Sequence, residues 1–302
     1  MSIQVSNITE QDIPGAITCI QQAFKDDPYN HWVFDKSNFS YERNAVSLCI
    51  RCRWGMQHAL FHVAKDTTDN KVIGVACWLP PHSPTAPATW HDWAGDWWLW
   101  MQQVSMNLRY GRGGLNVKRY WIWKAQQAAA QAALWDDEKG YYFCNIVTVL
   151  PEAQGKGVGK LLFKHVTDQA DKEGKKCYLE SSRAEPNMAI YEKMGFELGK
   201  EMVCDDQGAA ITLFCMMREP KDRRAVMLVA MSMAPEAMGR TSVDRMIQVI
   251  LRCSVSSKLD DADEYRHLES GDTGWHEEES NTIESAIRSQ GLNILRAGGC
   301  PV

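Results

Sequence analysis

The stretch Cys144-Asn-Ile-Val-Thr-Val-Leu-Pro-Glu-Ala-Gln154-Gly-Lys-Gly-Val-Gly-Lys160 decides the fold. Asn145 to Leu150 is rich in β-branched residues, which suit a buried, pleated strand. Pro151 ends that strand, because proline lacks a backbone donor and fixes φ. Gly155, Gly157 and Gly159 follow at alternate positions, and Val158, Leu161, Leu162, Val166 and Ala170 then recur at helical spacing to about Lys172. The prediction is strand, glycine-rich turn, helix. Such a turn lets backbone N–H groups approach a ligand closely, and the helix start adds a positive dipole end, so it suits phosphate oxygens.

Two common phosphate loops do not fit. A nucleotide-binding loop of the Gly-x-x-x-x-Gly-Lys-Ser/Thr kind needs four residues between its glycines and a hydroxyl after the lysine. Here three residues separate Gly155 from Gly159-Lys160, and Leu161 follows. The dinucleotide pattern Gly-x-Gly-x-x-Gly fails at Lys160, where its third glycine belongs. Gln-x-x-Gly-x-Gly does fit, at Gln154, Gly157 and Gly159, although glycines so placed also serve tight strand–helix packing. Downstream, Cys177-Tyr-Leu-Glu-Ser-Ser182 reads as a strand. Pro186-Asn187-Met-Ala-Ile-Tyr191-Glu-Lys-Met-Gly195-Phe196 reads as a short helix and turn. In these two halves the chain resembles the GNAT superfamily of acyl-CoA N-acyltransferases, most nearly its puromycin N-acetyltransferase type, whose third strand is matched by Gly74-Val-Ala-Cys-Trp78. The resemblance spans roughly Ile3 to Pro220 and is specific from Tyr141 to Phe196.

That resemblance implies an α/β (α+β) GNAT fold: a mixed, mostly antiparallel central sheet, splayed at the cofactor site and flanked by helices. It implies acetyl-CoA as co-substrate. The backbone of Val147, Thr148 and Val149 would meet the pantetheine arm, and Gln154, Gly155, Lys156, Gly157, Val158, Gly159 and Lys160 would hold the pyrophosphate. Tyr191 would protonate the departing thiolate, since a phenol with a pKa of roughly 10 stays neutral at physiological pH; its other reading is a buried tyrosine packing the last helix. Asn187 either orients the cofactor arm or caps that helix. Glu180 leads as general base, because a charge in an apolar strand is costly without a partner or a task. It could equally pair with a basic residue for structure, leaving Asn145 or Tyr142 to align a water. Asn145 is also a candidate substrate contact. So are Asp27, His31 and Trp32 after the first helix, where a polar helix end and a core tryptophan are the structural alternative.

Taken in order, Ile3 to Ile8 alternates as a first strand. Thr9 and Asp12 then cap a helix with Pro14 near its start and Ile13, Ile17, Ile20 and Phe24 on its buried face, ended by Asp26-Asp27-Pro28. Tyr41 to Trp54 predicts a second helix. Ala59–Ala64 and Lys71–Leu79 predict a hairpin across Asp69-Asn70. Residues 85–139 form a helical insertion, aromatic-rich to about Leu108, broken at Gly111–Gly114 and resuming from Val117 to Trp135. It is expected either to wall an acceptor pocket suited to a flat or hydrophobic amine, or to dock its tryptophans on the core. Met202–Cys204 and Ile211–Met217 close the sheet across Asp205–Gly208.

The acyltransferase domain is thus assigned to residues 1–220. Residues 221–302, rich in acidic and small residues, predict a disordered or loosely docked extension with a short helix at Ser242–Leu251. The net charge of −5 gives no reason to expect a nucleic-acid partner. The run Trp90 to Trp100 is broken by Asp92 and Asp96 and is too short to cross a bilayer. Without a secretory-type start, the ten cysteines are expected reduced in a cytoplasmic protein, and the lone Cys49-Ile-Arg-Cys52 lacks the second pair a zinc site needs, so no metal is expected. The function expected is transfer of an acetyl group from acetyl-CoA to a small-molecule amine, a toxic or antibiotic-like amine among the candidates. The alternatives are a protein or peptide acetyltransferase and a non-catalytic CoA-binding module.

Overall fold

Helix-forming and strand-forming segments alternate through residues 2–82 and 90–221, which the computed structural model describes. In chain order they are β1 (Ile3–Asn7), α1 (Ile13–Ala23), α2 (Pro28–Val33), α3 (Tyr41–His58), β2 (Leu60–Asp66), β3 (Val72–Leu79), α4 (Trp90–Tyr110) and α5 (Val117–Leu134). There follow β4 (Tyr141–Val149), α6 (Val158–Glu173), β5 (Lys176–Ser181), α7 (Asn187–Glu192), β6 (Glu197–Asp206) and β7 (Ala209–Arg218). The strands form one seven-stranded sheet in the order β1-β2-β3-β4-β5-β7-β6. Only β4 and β5 run parallel; the other neighbours are antiparallel. This is the mixed, mostly antiparallel α/β architecture expected. The predicted extension, with its helix at Ser242–Leu251, and the first residues of the insertion lie outside the described residues.

Local chemistry sets the element ends. The Thr9 N–H and hydroxyl both meet Asp12 Oδ2, at 3.0 and 2.7 Å, closing the predicted capping box around a single 3-10 turn that leads into α1. Helix α1 ends at Ala23, earlier than the Asp26-Asp27-Pro28 stop expected. Asp27 instead starts α2: its carboxylate accepts the Asn30 N–H at 3.1 Å, with Pro28 at the first helical position, where its missing donor is harmless. Helix α3 continues past Trp54 to His58. The β6–β7 hairpin turns at Gln207 and Gly208, both with positive φ, the geometry that matches strand twist.

The sheet carries helices on both faces. On one lie α6 and α7: an atom at the Cβ position of Gly74 would meet Val158 and Leu162, and the Trp78 ring packs edge-on against Phe163 at 5.2 Å. The opposite face is covered by α1, where Cys19 Sγ contacts the Thr148 hydroxyl at 3.4 Å, by α3, whose Gly55 abuts Phe61, and by α5, whose Gln127 reaches Glu180. Helix α4 packs on α3. Its tryptophans do not dock onto the core. Trp90, Trp93, Trp97 and Trp100 form a ladder of ring contacts along its surface, and Trp90 and Trp98 are 81% and 66% exposed. In α5, by contrast, Trp123 is buried.

Two irregularities of β4 position the site. Its pairing with β5 runs from Tyr141↔Lys176 to Cys144↔Leu179 and stops there, so the strands part beyond Cys144. Opposite β3, Cys77 pairs with Ile146 but Trp78 pairs with Cys144, which leaves Asn145 as an extra, bulged residue. Side chains of Cys144, Val147 and Val149 therefore lie on the α6 face, whereas Asn145 and Ile146 sit side by side on the α5 face.

Candidate active site

The glycine turn is built as the sequence implies. A 3-10 turn at Pro151–Ala153 carries the chain off β4, and Gly155 and Gly157 take φ of 75° and 82°, a region that side chains rarely occupy. An added Cβ at either would meet nothing within 4 Å, so these glycines serve conformation and clearance rather than packing. Gly157 precedes the first turn of α6, where the N–H groups of Val158, Gly159 and Lys160 have no intrahelical acceptor. Gly155 to Gly157 are exposed, and a helix start with such donors behind an open glycine turn is the arrangement that holds a phosphate group.

The gap between β4 and β5 supplies the second element. The Leu150 N–H bonds the Ile73 carbonyl at 2.9 Å. Ladder alternation then directs the polar groups of Thr148 and Ile146 to β3, and those of Val147 and Val149 into the gap. A cavity of about 150 Å³ passes through the sheet here. Cys144, Val147, Ser181, Asn187 and Tyr191 line its α6 side, and Tyr29, Trp123, Gln127, Asn145 and Glu180 its α5 side. Asp27 closes one end, accepting the Ser182 hydroxyl as well as the Asn30 N–H.

Electrostatics distinguish the two sides. Burial raises the Glu180 pKa above the usual carboxylate range, restrained by hydrogen bonds from Gln127 Nε2 at 2.8 Å and the Tyr178 hydroxyl at 2.9 Å. Gln127 is itself held by buried Lys124, whose Nζ donates to its Oε1 at 3.1 Å. Burial likewise drives Tyr191 up, so its phenol is protonated at any physiological pH. The Tyr191 hydroxyl makes no hydrogen bond to the described residues, while its ring packs on Phe163 at 5.6 Å. The Cys144 thiol is pushed well up by burial and is no thiolate. The indole N–H of Trp123 is buried without a partner among the described residues.

Several expected residues stand elsewhere or act differently. Trp32 is buried on the other side of α2, where Nε1 donates to the Ala209 carbonyl at 2.7 Å and Arg119 covers the ring, the packing of the core tryptophan that was the structural alternative. His31 lines a separate cavity of about 220 Å³ among α1, α2 and α3. Tyr142 faces α6 and bonds Glu173 at 2.8 Å, because strand alternation turns it away from the α5 side. Thr148 and Val158 bury their side chains, which leaves only backbone groups for a ligand. The Gln154 amide donates to the Val149 carbonyl at 3.3 Å and Lys156 Nζ to the Glu152 carbonyl at 2.6 Å, so both fasten the turn to itself; Lys160 is exposed. Asn187 caps nothing: its amide bonds Ser181 Oγ at 3.2 Å and ties α7 to the end of β5. Cys144, Ser181, Trp123, Lys124 and Gln127 escape a sequence reading, since an i, i+3 Lys–Gln pair on an amphipathic helix carries no mark of being buried. Among the described residues no helix is long and apolar enough to cross a membrane, and the eight described cysteines are unpaired.

The chain can be compared with proteins of known structure. The chain is similar in structure to an arylalkylamine N-acetyltransferase 2 from Aedes aegypti (16% identity over 72% of this chain and 99% of that one, TM-score 0.49). It is also similar to the ribosomal-protein-S18-alanine N-acetyltransferase of Escherichia coli (14%, 72% and 94%, TM-score 0.39). A third is the PaiA N-acetyltransferase of Thermoplasma acidophilum, solved in complex with coenzyme A (15%, 72% and 99%, TM-score 0.39). In sequence, residues 116–198, which run from α5 through β4, the glycine turn, α6 and β5 to the residues after α7, match the family model of the acetyltransferase (GNAT) domain.

Proposed function

We propose that the protein transfers an acetyl group from acetyl-CoA to the amine of a small molecule, directly and without an acetyl-enzyme. The observation that carries this is the gap beyond the Cys144–Leu179 pair, which has the phosphate-type turn at one end and Tyr191 and Glu180 on opposite faces. Acetyl-CoA would lie along the α6 face, its pyrophosphate on the N–H groups from Gly155 to Lys160 and its arm against the edge of β4 at Val147 and the Val149 N–H, the Val149 carbonyl being taken by Gln154. A backbone N–H in that edge would polarise the thioester carbonyl. The amine enters from the α5 face. Glu180, with a raised pKa, takes its proton; the nitrogen attacks the carbonyl carbon; the C–S bond breaks; and the Tyr191 phenol protonates the leaving sulfur. Cys144, held as a thiol, is not a nucleophile.

The volume of the cavity, about 150 Å³, favours a small acceptor over a peptide. The test is release of free CoA thiol against aliphatic, aromatic, nucleoside and peptide amines, with puromycin in the panel because of the sequence resemblance. Thermal stabilisation by CoA is measured alongside. Release with a small amine supports the proposal. Release only with peptides refutes the acceptor class, and stabilisation without any release points to a binding module. No response to CoA refutes the reading as a whole.

A further inference from the structure

A second cavity, of about 140 Å³, lies under the insertion, among α3, α4, α5 and the β3–β4 pair. Its walls are mostly apolar and aromatic, with Trp54, Phe61, Leu79, Leu99, Trp100 and Ile146 among them, and Arg51, Asp96 and Lys124 add charged groups at its lining. It shares one residue with the through-sheet cavity, and that residue is Asn145, the bulge of β4. Two buried donors that line it, Trp54 Nε1 and Gln103 Nε2, have no hydrogen-bond partner among the described residues; the Gln103 carbonyl is taken by the Ser47 hydroxyl at 3.3 Å. Unsatisfied buried donors are uncommon and each asks for an explanation. The volume is also informative, because an apolar cavity of about 150 Å³ holds a single benzene ring.

We propose that this cavity is the acceptor's ring subsite: the substrate is a primary amine on a short linker from one aromatic ring, the ring carries an oxygen acceptor for Trp54 and Gln103, and the amine passes Asn145 to reach Glu180. The proposal rests on the acetyltransferase reading and names its substrate class. It gives the insertion a task in which α4 supplies Leu99 and Trp100, and which the exposed Trp90, Trp93, Trp97 and Trp98 do not perform. Asn145 is a specificity residue here, because the bulge sets its side chain where the two cavities meet.

The test is calorimetric binding of tyramine, phenethylamine and n-butylamine to the full chain in the presence of CoA, with Leu99→Trp and Trp54→Phe as variants. Leu99 sits on α4, which contributes no residue to the glycine turn or to the through-sheet cavity. The ring amines should bind at least about tenfold more tightly than n-butylamine, the effect of burying one ring. Leu99→Trp should remove that advantage and leave n-butylamine and CoA binding unchanged. Trp54→Phe should abolish a preference of about fivefold for tyramine over phenethylamine, the worth of one hydrogen bond. Ring amines that bind no better than n-butylamine, or that bind Leu99→Trp as well as the parent, overturn the proposal. Thiol release separates the two ideas. Ring binding that depends on Leu99 but gives no release keeps the subsite and sinks the acetyltransferase reading; release with ringless amines alone does the reverse.

Discussion

Gly74 couples the core to the phosphate turn, and Gly74→Ala measures that coupling. A Cβ there would sit 2.7 Å from Val158 Cγ1, 3.1 Å from Leu162 Cδ1 and 3.2 Å from the Thr148 carbonyl oxygen. Ordinary carbon contacts begin at about 3.5 Å, so Val158 must retreat by close to 1 Å. The carbonyl belongs to the paired backbone of β4 and cannot give way, and Val158 is buried. Overpacking of this kind costs about 1–3 kcal/mol. At about 2–4 °C per kcal/mol for a domain of this size, the melting temperature should fall by about 2–12 °C. Val158 opens α6, so the displaced side chain carries the phosphate-binding N–H groups with it, and CoA affinity should fall as well. Gly159→Ala is the counterpart. Its φ is not positive and its only near neighbour is Val149 Cγ2 at 3.8 Å, so stability should hold while the new methyl obstructs the pyrophosphate. Urea unfolding and calorimetry with CoA report the two quantities. Unchanged stability and unchanged CoA binding in Gly74→Ala would refute the clamp between β3 and the α6 N-terminus.

Other expectations concern the cavity and the fold. Tyr191→Phe should keep CoA affinity and lower turnover by about 10²- to 10⁴-fold, the usual range for a lost proton donor; undiminished turnover would exclude the acid role. Glu180→Gln should lower kcat/KM by a similar factor and erase the acidic limb of its pH profile. That limb falls as pH drops through the raised pKa of Glu180. Because that pKa is higher folded than unfolded, the stability it contributes is complete below the ordinary carboxylate value and lost as pH rises through the folded one. The same variant should therefore be more stable than the parent at neutral pH, and a less stable variant would contradict the assignment. Asp171 has the opposite sign. Burial tends to raise its pKa, but the two-pronged bond from Arg218, at 2.8 and 2.7 Å, holds it below the usual range. Its stabilisation is present above the ordinary carboxylate pKa and lost as pH falls through the depressed one. Asp171→Asn leaves buried Arg218 unpaired and should cost about 3–5 kcal/mol by denaturant unfolding at pH 7.

Residues with a strong local signature were legible in the sequence. The glycine turn, the closing hairpin and the Thr9–Asp12 cap each follow from φ preference or short-range hydrogen bonding, and the structure has them where the sequence placed them. The Glu180 environment was legible only as an anomaly, one charge in an apolar strand; its partners Gln127 and Lys124 come from a helix more than fifty residues upstream and are brought in by tertiary packing alone. Trp32 left two readings open for the converse reason. Its position after α1 suggested the acceptor side, but α2 is a separate helix started by Asp27, and it turns the indole into the core. The tryptophans of the insertion split between α4 and α5 because helical spacing fixes which residues share a face, not whether the face is covered.

The bulge at Asn145 is a change of parity in β4. Before it, odd-numbered residues point to the α5 side; after it, even-numbered ones do. One strand can therefore present Phe143 to one layer, Val147 and Val149 to the other, and Asn145 to the opening between two cavities. Deleting that single residue would restore plain alternation, because Cys144 and Ile146 already sit opposite the adjacent residues Trp78 and Cys77. Ile146 and Thr148 would keep the α5 side, Val147 and Val149 would keep the gap, and the glycine turn would be fed as before. A one-residue deletion at position 145 thus removes the doorway alone, whereas a deletion at any regularly paired position of β4 would invert the strand beyond it.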